Sequence, residues 1–269
     1  MEKIKGFLDQ FDSPLQLADF MEQTPGVQEP SEQGLMNEND YKGLREGENV
    51  VIEEFQAKLD ALENIQSRFV NSYNVVGSRI NMSRAMTGNP KSMVYQERRQ
   101  KKSRDITLII DMTMPWRIPN GTIKKIGGKV LSALERLSIE GNKIEIYACC
   151  TGANKGYTNV MLVNLKKMDE QLELSRVSYA LSNPNFLRHV FFEWHTKDER
   201  IKILNGLGCY LSSHYSTKAL SEAFSVELQK KALYISFINY ESIDYWSSDA
   251  LYDDLSKKFD ELDKSPIFN

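Results

Sequence analysis

Several features that identify common classes of protein are scarce or missing among the 269 residues. The chain has three cysteines, Cys149, Cys150 and Cys209, with no CxxC spacing, so neither a disulfide framework nor a zinc site is indicated. No apolar run reaches the length of about 18 residues that spans a bilayer. The first residues, MEKIKGFLDQ, lack the apolar core of a secretion signal. We therefore expect a cytoplasmic protein with reduced, buried thiols and no membrane partner.

Catalytic motifs are missing as well. The histidines, His189, His195 and His214, do not accompany a serine or cysteine in a nucleophile motif. No GxSxG, HExxH or Walker sequence occurs, and the glycine pairs lack the GxGxxG continuation of a dinucleotide site. The sequence therefore predicts a binding protein rather than an enzyme. It predicts no cofactor, with a Mg²⁺ site as the one exception.

Charge is sorted along the chain. Residues 1–70 hold 15 acidic and 6 basic side chains, residues 71–239 hold 14 and 25, and residues 240–269 hold 8 and 3. A basic body between two acidic arms is the electrostatic footprint of a polyanion binder. Together with the apolar pattern, this charge distribution predicts an acidic helical N-terminal region (1–70), a basic α/β domain (71–246) and an acidic C-terminal helix and tail (247–269).

Apolar spacing predicts the elements within these regions. The run from Ile106 to Ile110 is typical of a strand buried on both faces in a parallel sheet. A helix over 123–139 and strands over 143–150, 158–165 and 232–239 complete a βαβ pattern. Helices are predicted over 2–11, 14–21 and 48–69, with a loosely packed connector at 24–49 and a hairpin at 73–80. The fold class is therefore α/β, with a mostly parallel, doubly wound sheet and a helical N-terminal region.

Two stretches of the chain resemble a known family. They are Tyr73–Gly77 with Arg84–Met93, and Ala180–His189 with Phe192. Both resemble segments of a phage and prophage family of uncharacterised proteins, in which they flank a sheet that looks like a von Willebrand factor A domain. The resemblance covers roughly residues 40–255. It implies a phage origin, a place in the host cell cytoplasm and a von Willebrand A-like fold, and it implies no activity.

The same resemblance implies where a metal would lie. In von Willebrand A domains the first strand delivers Asp-x-Ser-x-Ser to a Mg²⁺ ion, which takes carboxylate and hydroxyl oxygens. Here Asp111 and Thr113 match the first two ligands, Pro115 replaces the third, and Thr151 and Asp244 are possible stand-ins for later ligands. The resemblance therefore implies a degenerate Mg²⁺ site at Asp111 and Thr113. The alternative is that Asp111 caps the loop that follows it.

The leading hypothesis is a phage protein that binds single-stranded nucleic acid, DNA in the first instance, in replication, recombination or transcription. A cationic groove with aromatic faces binds such strands without base-specific readout. The alternative for each residue is an ordinary solvated or core position. The candidate contacts are Arg79, Arg84, Tyr95, Arg98, Arg99, Lys101, Lys102, Arg104, Trp116, Lys124, Lys125 and Lys129.

A protein partner is expected at the C-terminus. Acidic residues there precede the apolar tip Ile267-Phe268, an arrangement that resembles the tails of single-strand binding proteins, which dock partner enzymes. The partner would be a phage or host protein. The second hypothesis for the whole chain is a protein–protein adaptor of von Willebrand A type, with or without Mg²⁺ at Asp111, that works with an ATPase or another partner.

Overall fold

The chain divides into two compact units. The structure, a computed structural model, describes residues 5–27, 35–48, 69–98, 104–114, 118–139, 141–154, 157–197, 232–237, 251 and 253–258. The first unit comprises residues 1–52 and 104–269, and the second comprises residues 53–103. Their boundaries differ from those of the three regions that charge defines in the sequence.

The described elements follow one another in a simple order. They are β1 (Lys5–Phe11), α1 (Pro14–Gln23), α2 (Glu38–Glu46), β2 (Phe69–Asn74), β3 (Arg79–Ile80), α3 (Met82–Met86), β4 (Met93–Arg98), β5 (Asp105–Asp111), α4 (Asn120–Ile139), β6 (Lys143–Asn154), β7 (Tyr157–Lys166), α5 (Leu174–Ser182), a π-helical turn (Phe186–Val190), α6 (Phe191–Thr196) and β8 (Ala232–Ser236). Residues 253–258 are also helical. Within these elements, no helix is both long and apolar enough to cross a membrane.

The first unit is built on a five-stranded sheet with the order β1-β7-β6-β5-β8. Strand β5 is parallel to both β6 and β8, and β1 is parallel to β7. Only the β6–β7 pair is antiparallel among the described pairings of this sheet. The predicted α/β class with a mostly parallel central sheet is therefore confirmed.

The core of this unit lies on both faces of the sheet. Leu108, Ile109 and Ile110 are each 0% exposed, as their continuous apolar run predicts. Helix α4 buries an apolar stripe that includes Ile126 and Val130. Cys149 and Cys150 are fully buried, and burial raises the pKa of both thiols well above its usual value. Cys149 and Cys150 are therefore core residues, as expected, whereas Cys209 lies outside the described residues.

Residues 5–11 form a strand, so the helix predicted over 2–11 is wrong. Strand β1 pairs in parallel with β7 along its whole length, from Lys5 opposite Tyr157 to Phe11 opposite Val163. Without β1, strand β7 would present a row of unpaired N–H and C=O groups at the edge of the sheet. Pairing with β7 outweighs the local helical pattern, because tertiary context overrides intrinsic propensity.

Helix α1, at Pro14–Gln23, confirms the prediction over 14–21. Ser13 caps α1, since its hydroxyl accepts a hydrogen bond from the N–H of Gln16 at 3.1 Å. The loosely packed connector predicted over 24–49 is wrong for residues 35–48, which contain α2 with Asp40 and Leu44 each 1% exposed. Almost all of the helix predicted over 48–69 lies outside the described residues.

The second unit contains a three-stranded antiparallel sheet with the order β2-β4-β3. Both arms of the predicted 73–80 hairpin are strands, but the pairing is wrong because β4 lies between them. Helix α3 follows β3 and ends before Gly88, whose φ of 71° is in the left-handed region. Residues 79–102 of the second unit contain seven basic residues and one acidic residue.

Candidate nucleic-acid interface

One face of the small sheet carries a cationic and aromatic row. The register pairs both Tyr73 of β2 and Arg79 of β3 with Val94 of β4. Residues opposite one another on neighbouring strands share a face, and two strand spacings separate their backbones by about 10 Å. Tyr73 is 40% exposed, and Arg79 is exposed as well. The sheet therefore presents an aromatic ring and a guanidinium to solvent on the same side.

Arg84 joins this face from α3. Its guanidinium carbon lies 4.1 Å from the centroid of the Tyr73 ring, which is cation–π geometry. The start of α3 fixes this position, because the Asn81 side chain accepts a hydrogen bond from the N–H of Arg84 at 3.1 Å. The Thr87 hydroxyl in turn donates to the Arg84 carbonyl at 2.9 Å. We call Tyr73, Arg79 and Arg84 the cationic face.

Carboxylates are nearly absent from the sequence around this face. Between residues 69 and 104 the one acidic residue is Glu97, and residues 69–96 contain none. The same stretch has eight basic residues, which are Arg79, Arg84, Lys91, Arg98, Arg99, Lys101, Lys102 and Arg104. An arginine stacked on an aromatic ring keeps its N–H edges available for a phosphate. The local composition thus favours binding of an anion.

Most of the other candidate contacts cannot be placed beside the cationic face. Tyr95 and Arg98 belong to β4, opposite Ser72 and Phe69, and their side chains lie outside the described part of the structure. Four candidate contacts and the apolar tip at the C-terminus also lie outside the described residues: Arg99, Lys101, Lys102, Trp116, Ile267 and Phe268.

The remaining lysines and Arg104 belong to the first unit. Lys124 and Lys125 are exposed near the start of α4, and Lys129 is half-buried one turn later. Arg104 precedes β5, and its carbonyl accepts a hydrogen bond from the N–H of Lys143, four residues after α4 ends. At 1.5 Å per residue, about 20 Å of helix separates Lys124 from that end. The fold therefore does not bring Arg104 together with Lys124 and Lys125.

Apolar side chains near the cationic face were not predicted to be exposed. Val75 is 61% exposed, Val76 74%, Met82 65% and Met86 82%. Ile80 is 56% exposed and pairs with Met93, one position along from the row of Arg79, so it faces the other side of the sheet. In the sequence these residues are indistinguishable from strand and helix core. An uncovered apolar surface of this kind is typical of a binding site.

The first unit holds a second polar cluster at the carboxyl ends of its parallel strands. We call Asp111, Thr113, Thr151 and Tyr234 the strand-end cluster. Asp111 is 1% exposed and accepts hydrogen bonds from the N–H of Thr113 at 2.9 Å and from the hydroxyl of Tyr234. The Thr113 hydroxyl oxygen accepts from the N–H of Thr151 at 2.8 Å and lies 3.1 Å from the Thr151 hydroxyl.

The strand-end cluster brings together three of the residues that the resemblance connects with a metal. Asp111, Thr113 and Thr151 are in contact, whereas Pro115 and Asp244 lie outside the described residues. Sequence reasoning missed Tyr234, because its contact with Asp111 depends on the β5–β8 register. Within the described ranges, no three His, Cys, Asp or Glu side chains group as metal ligands.

Comparison with known proteins places the chain in a family without naming an activity. No curated protein and no solved structure matches the chain significantly. The sequence profile of one family matches residues 3–262, which is almost the whole chain. The chain therefore belongs to that family, which is described as a domain of unknown function, DUF7192.

Proposed function

We propose that the protein binds single-stranded nucleic acid through the cationic face, in support of the replication, recombination or transcription of a phage. The observation that carries this proposal is the guanidinium of Arg84, held 4.1 Å from the centroid of the partly exposed Tyr73 ring and on the same face as Arg79. DNA is the first substrate to test.

The two kinds of side chain would do different work. Arg79 and Arg84 would neutralise phosphates and release condensed counterions, which makes binding favourable at low salt and independent of sequence. Tyr73 would offer a π-face to an unstacked base, a contact available in a single strand and hidden in a duplex. The proposal therefore predicts that a single strand binds more tightly than a duplex of the same length.

The decisive experiment measures the affinity for a fluorescein-labelled oligothymidylate by anisotropy. Tyr73→Ala should weaken binding by about 5-fold to 150-fold, the range for loss of one stacked base, while Tyr73→Phe keeps the ring and should retain most of the affinity. Lys42→Ala is the matched control, because Lys42 is an exposed cation of the first unit with a side chain 69% exposed. This variant should bind like the wild type.

Salt dependence provides an independent readout. Each phosphate contact on a single strand contributes about −0.7 to the slope of log affinity against log salt concentration. Arg79→Ala and Arg84→Ala should each make the slope shallower by roughly that amount, and Lys42→Ala should leave it unchanged. If neither arginine variant differs from Lys42→Ala in slope or affinity, the cationic face does not bind the strand.

Docking of a protein partner is a second candidate function, and the exposed apolar side chains favour it. Val76 is 74% exposed and Met86 82%, which is more apolar surface than phosphate binding needs. A protein–protein adaptor of von Willebrand A type would dock its partner on an apolar surface of this kind. Under this hypothesis the oligothymidylate affinity is negligible in the wild type, and the double variant Val76→Ser with Met86→Ser loses the protein partner while Arg84→Ala retains it.

A further inference from the structure

Hydrogen bonds link the members of the strand-end cluster. Asp111 is the last residue of β5 and is 1% exposed. Its Oδ1 accepts from the N–H of Thr113 at 2.9 Å, and its Oδ2 accepts from the phenol of Tyr234. Each carboxylate oxygen therefore already has a donor supplied by the protein.

The hydroxyl groups nearby are engaged as well. The Thr113 oxygen accepts from the N–H of Thr151 at 2.8 Å, and its O–H has two acceptors within reach, the Thr151 hydroxyl at 3.1 Å and the Thr151 carbonyl at 3.4 Å. A Mg²⁺ ion requires about six oxygens at roughly 2.1 Å in octahedral geometry. Here the two threonine hydroxyls are hydrogen-bonded to each other, and the Thr113 hydroxyl is also bonded to the Thr151 backbone.

Tyr234, which contacts Asp111, acts as a hydrogen-bond donor rather than as a metal ligand. Tyr234 lies on β8, the neighbouring strand, in register with Ile109 and two positions before Ser236, which pairs with Asp111. Its phenol O–H donates a hydrogen bond to the carboxylate, whereas a metal ligand at this position would direct an oxygen lone pair at the ion. The residues present therefore do not fit the divalent ion that the von Willebrand A resemblance implies.

We propose that the Tyr234 phenol takes the place of the cation, so that the strand-end cluster fastens β8 and β6 to β5 by hydrogen bonds without a metal. A buried carboxylate is tolerated when charge-assisted hydrogen bonds satisfy its oxygens. The Tyr234 phenol adds a side-chain hydrogen bond between β8 and β5 to the backbone pairing of these strands. The Thr113–Thr151 pair adds one between β6 and the residues that follow β5. The cluster thus joins the carboxyl ends of β5, β6 and β8 without Mg²⁺.

Metal titration of the full-length wild type tests this directly. The melting temperature should be the same in millimolar MgCl₂ and in excess EDTA, and a Mn²⁺ titration followed by electron paramagnetic resonance should give the same bound fraction for wild type and Asp111→Asn. A rise in the wild-type melting temperature with Mg²⁺ that is absent from Asp111→Asn would overturn the proposal. The comparison of MgCl₂ with EDTA needs only the wild type.

Removing the hydroxyl of Tyr234 tests its hydrogen bond to Asp111. Tyr234→Phe should lower the melting temperature by about 3–8 °C in the presence of EDTA, because it removes a hydrogen-bond donor from a buried carboxylate. Tyr147→Phe is the matched control. Tyr147 donates to Glu145 at 3.0 Å on the neighbouring strand β6, and Glu145 retains Thr107 and Asn164 as donors. A Tyr234→Phe variant no less stable than Tyr147→Phe would contradict the proposal.

Discussion

The imidazole Nδ1 of His189 lies 2.8 Å from the carboxylate of Asp40, although the two residues are 149 positions apart. Asp40 is 1% exposed and accepts three further hydrogen bonds, from Asn185 Nδ2 at 2.9 Å, from the Tyr179 hydroxyl at 3.4 Å and from the N–H of Asn37 at 3.0 Å. One buried carboxylate therefore joins the acidic helix α2 to α5 and to the π-helical turn.

Replacing Asp40 should destabilise the first unit strongly. Asp40→Ala removes the acceptor of the buried Tyr179 and the half-buried Asn185 and His189, and should lower the free energy of unfolding by about 1–3 kcal/mol, the cost of unsatisfied buried polar groups. Urea unfolding followed by circular dichroism measures this. Asp19→Ala serves as the control, because its ion pair with Arg45 is exposed at the surface and should contribute less than about 1 kcal/mol. Equal unfolding midpoints for the two variants would show that Asp40 does not join the helices.

Close packing at Gly43 provides a second prediction. A Cβ at this position would lie 2.1 Å from a ring carbon of Tyr179, whereas a Cβ at Gly121, near the start of α4, would have no atom within 4 Å. Gly43→Ala should therefore cost about 1–3 kcal/mol through overpacking. Gly121→Ala should be neutral or stabilise by up to about 1 kcal/mol, because alanine favours a helix. If the two alanine variants unfold at the same urea concentration, α2 does not pack on Tyr179 as described.

Elements whose cause is local could be predicted from the sequence. The run from Ile106 to Ile110 and the apolar stripe of α4 each carry their own pattern, and both were placed within a few residues. Strand β1 could not be predicted in the same way. Phe7, Leu8 and Phe11 fit a helix equally well, and the pairing with β7 that decides between the two states is about 150 residues away.

In the candidate sites, too, residues with a local sequence signal could be predicted, whereas contacts that depend on distant strand pairing could not. Charge alone pointed to Arg79 and Arg84. The position of Arg79 on the same face as Tyr73 depends on a strand order that places β4 between β2 and β3, and the contact of Arg84 with Tyr73 depends on where α3 lies. Asp111 and Thr113 were singled out because they match the von Willebrand A pattern directly after a strand with a clear apolar run. Tyr234 was missed because only the register between β5 and β8 makes it a partner of Asp111.

His195 makes the stability of the first unit sensitive to acid. The ring is 5% exposed, packs edge-on against Phe191 with centroids 4.3 Å apart, and donates from Nδ1 to the Phe191 carbonyl at 2.8 Å. Burial lowers the pKa of His195 from 6.5 to about 4. Between those values the unfolded chain binds a proton that the folded chain excludes. The resulting stability is fully present above pH 6.5 and is lost as the pH falls towards 4.

The size of this effect follows from the shift in pKa. Lowering the pH from about 7 to about 5 should remove roughly 2 kcal/mol of unfolding free energy through this residue alone. His195→Asn retains a donor for the Phe191 carbonyl and does not titrate, so its stability should fall by that much less over the same range. The carboxylates titrate equally in wild type and His195→Asn. The difference between the two profiles of unfolding free energy against pH therefore gives the contribution of the His195 imidazole. Parallel profiles for wild type and His195→Asn would mean that the ring is protonated in the folded state or is not buried.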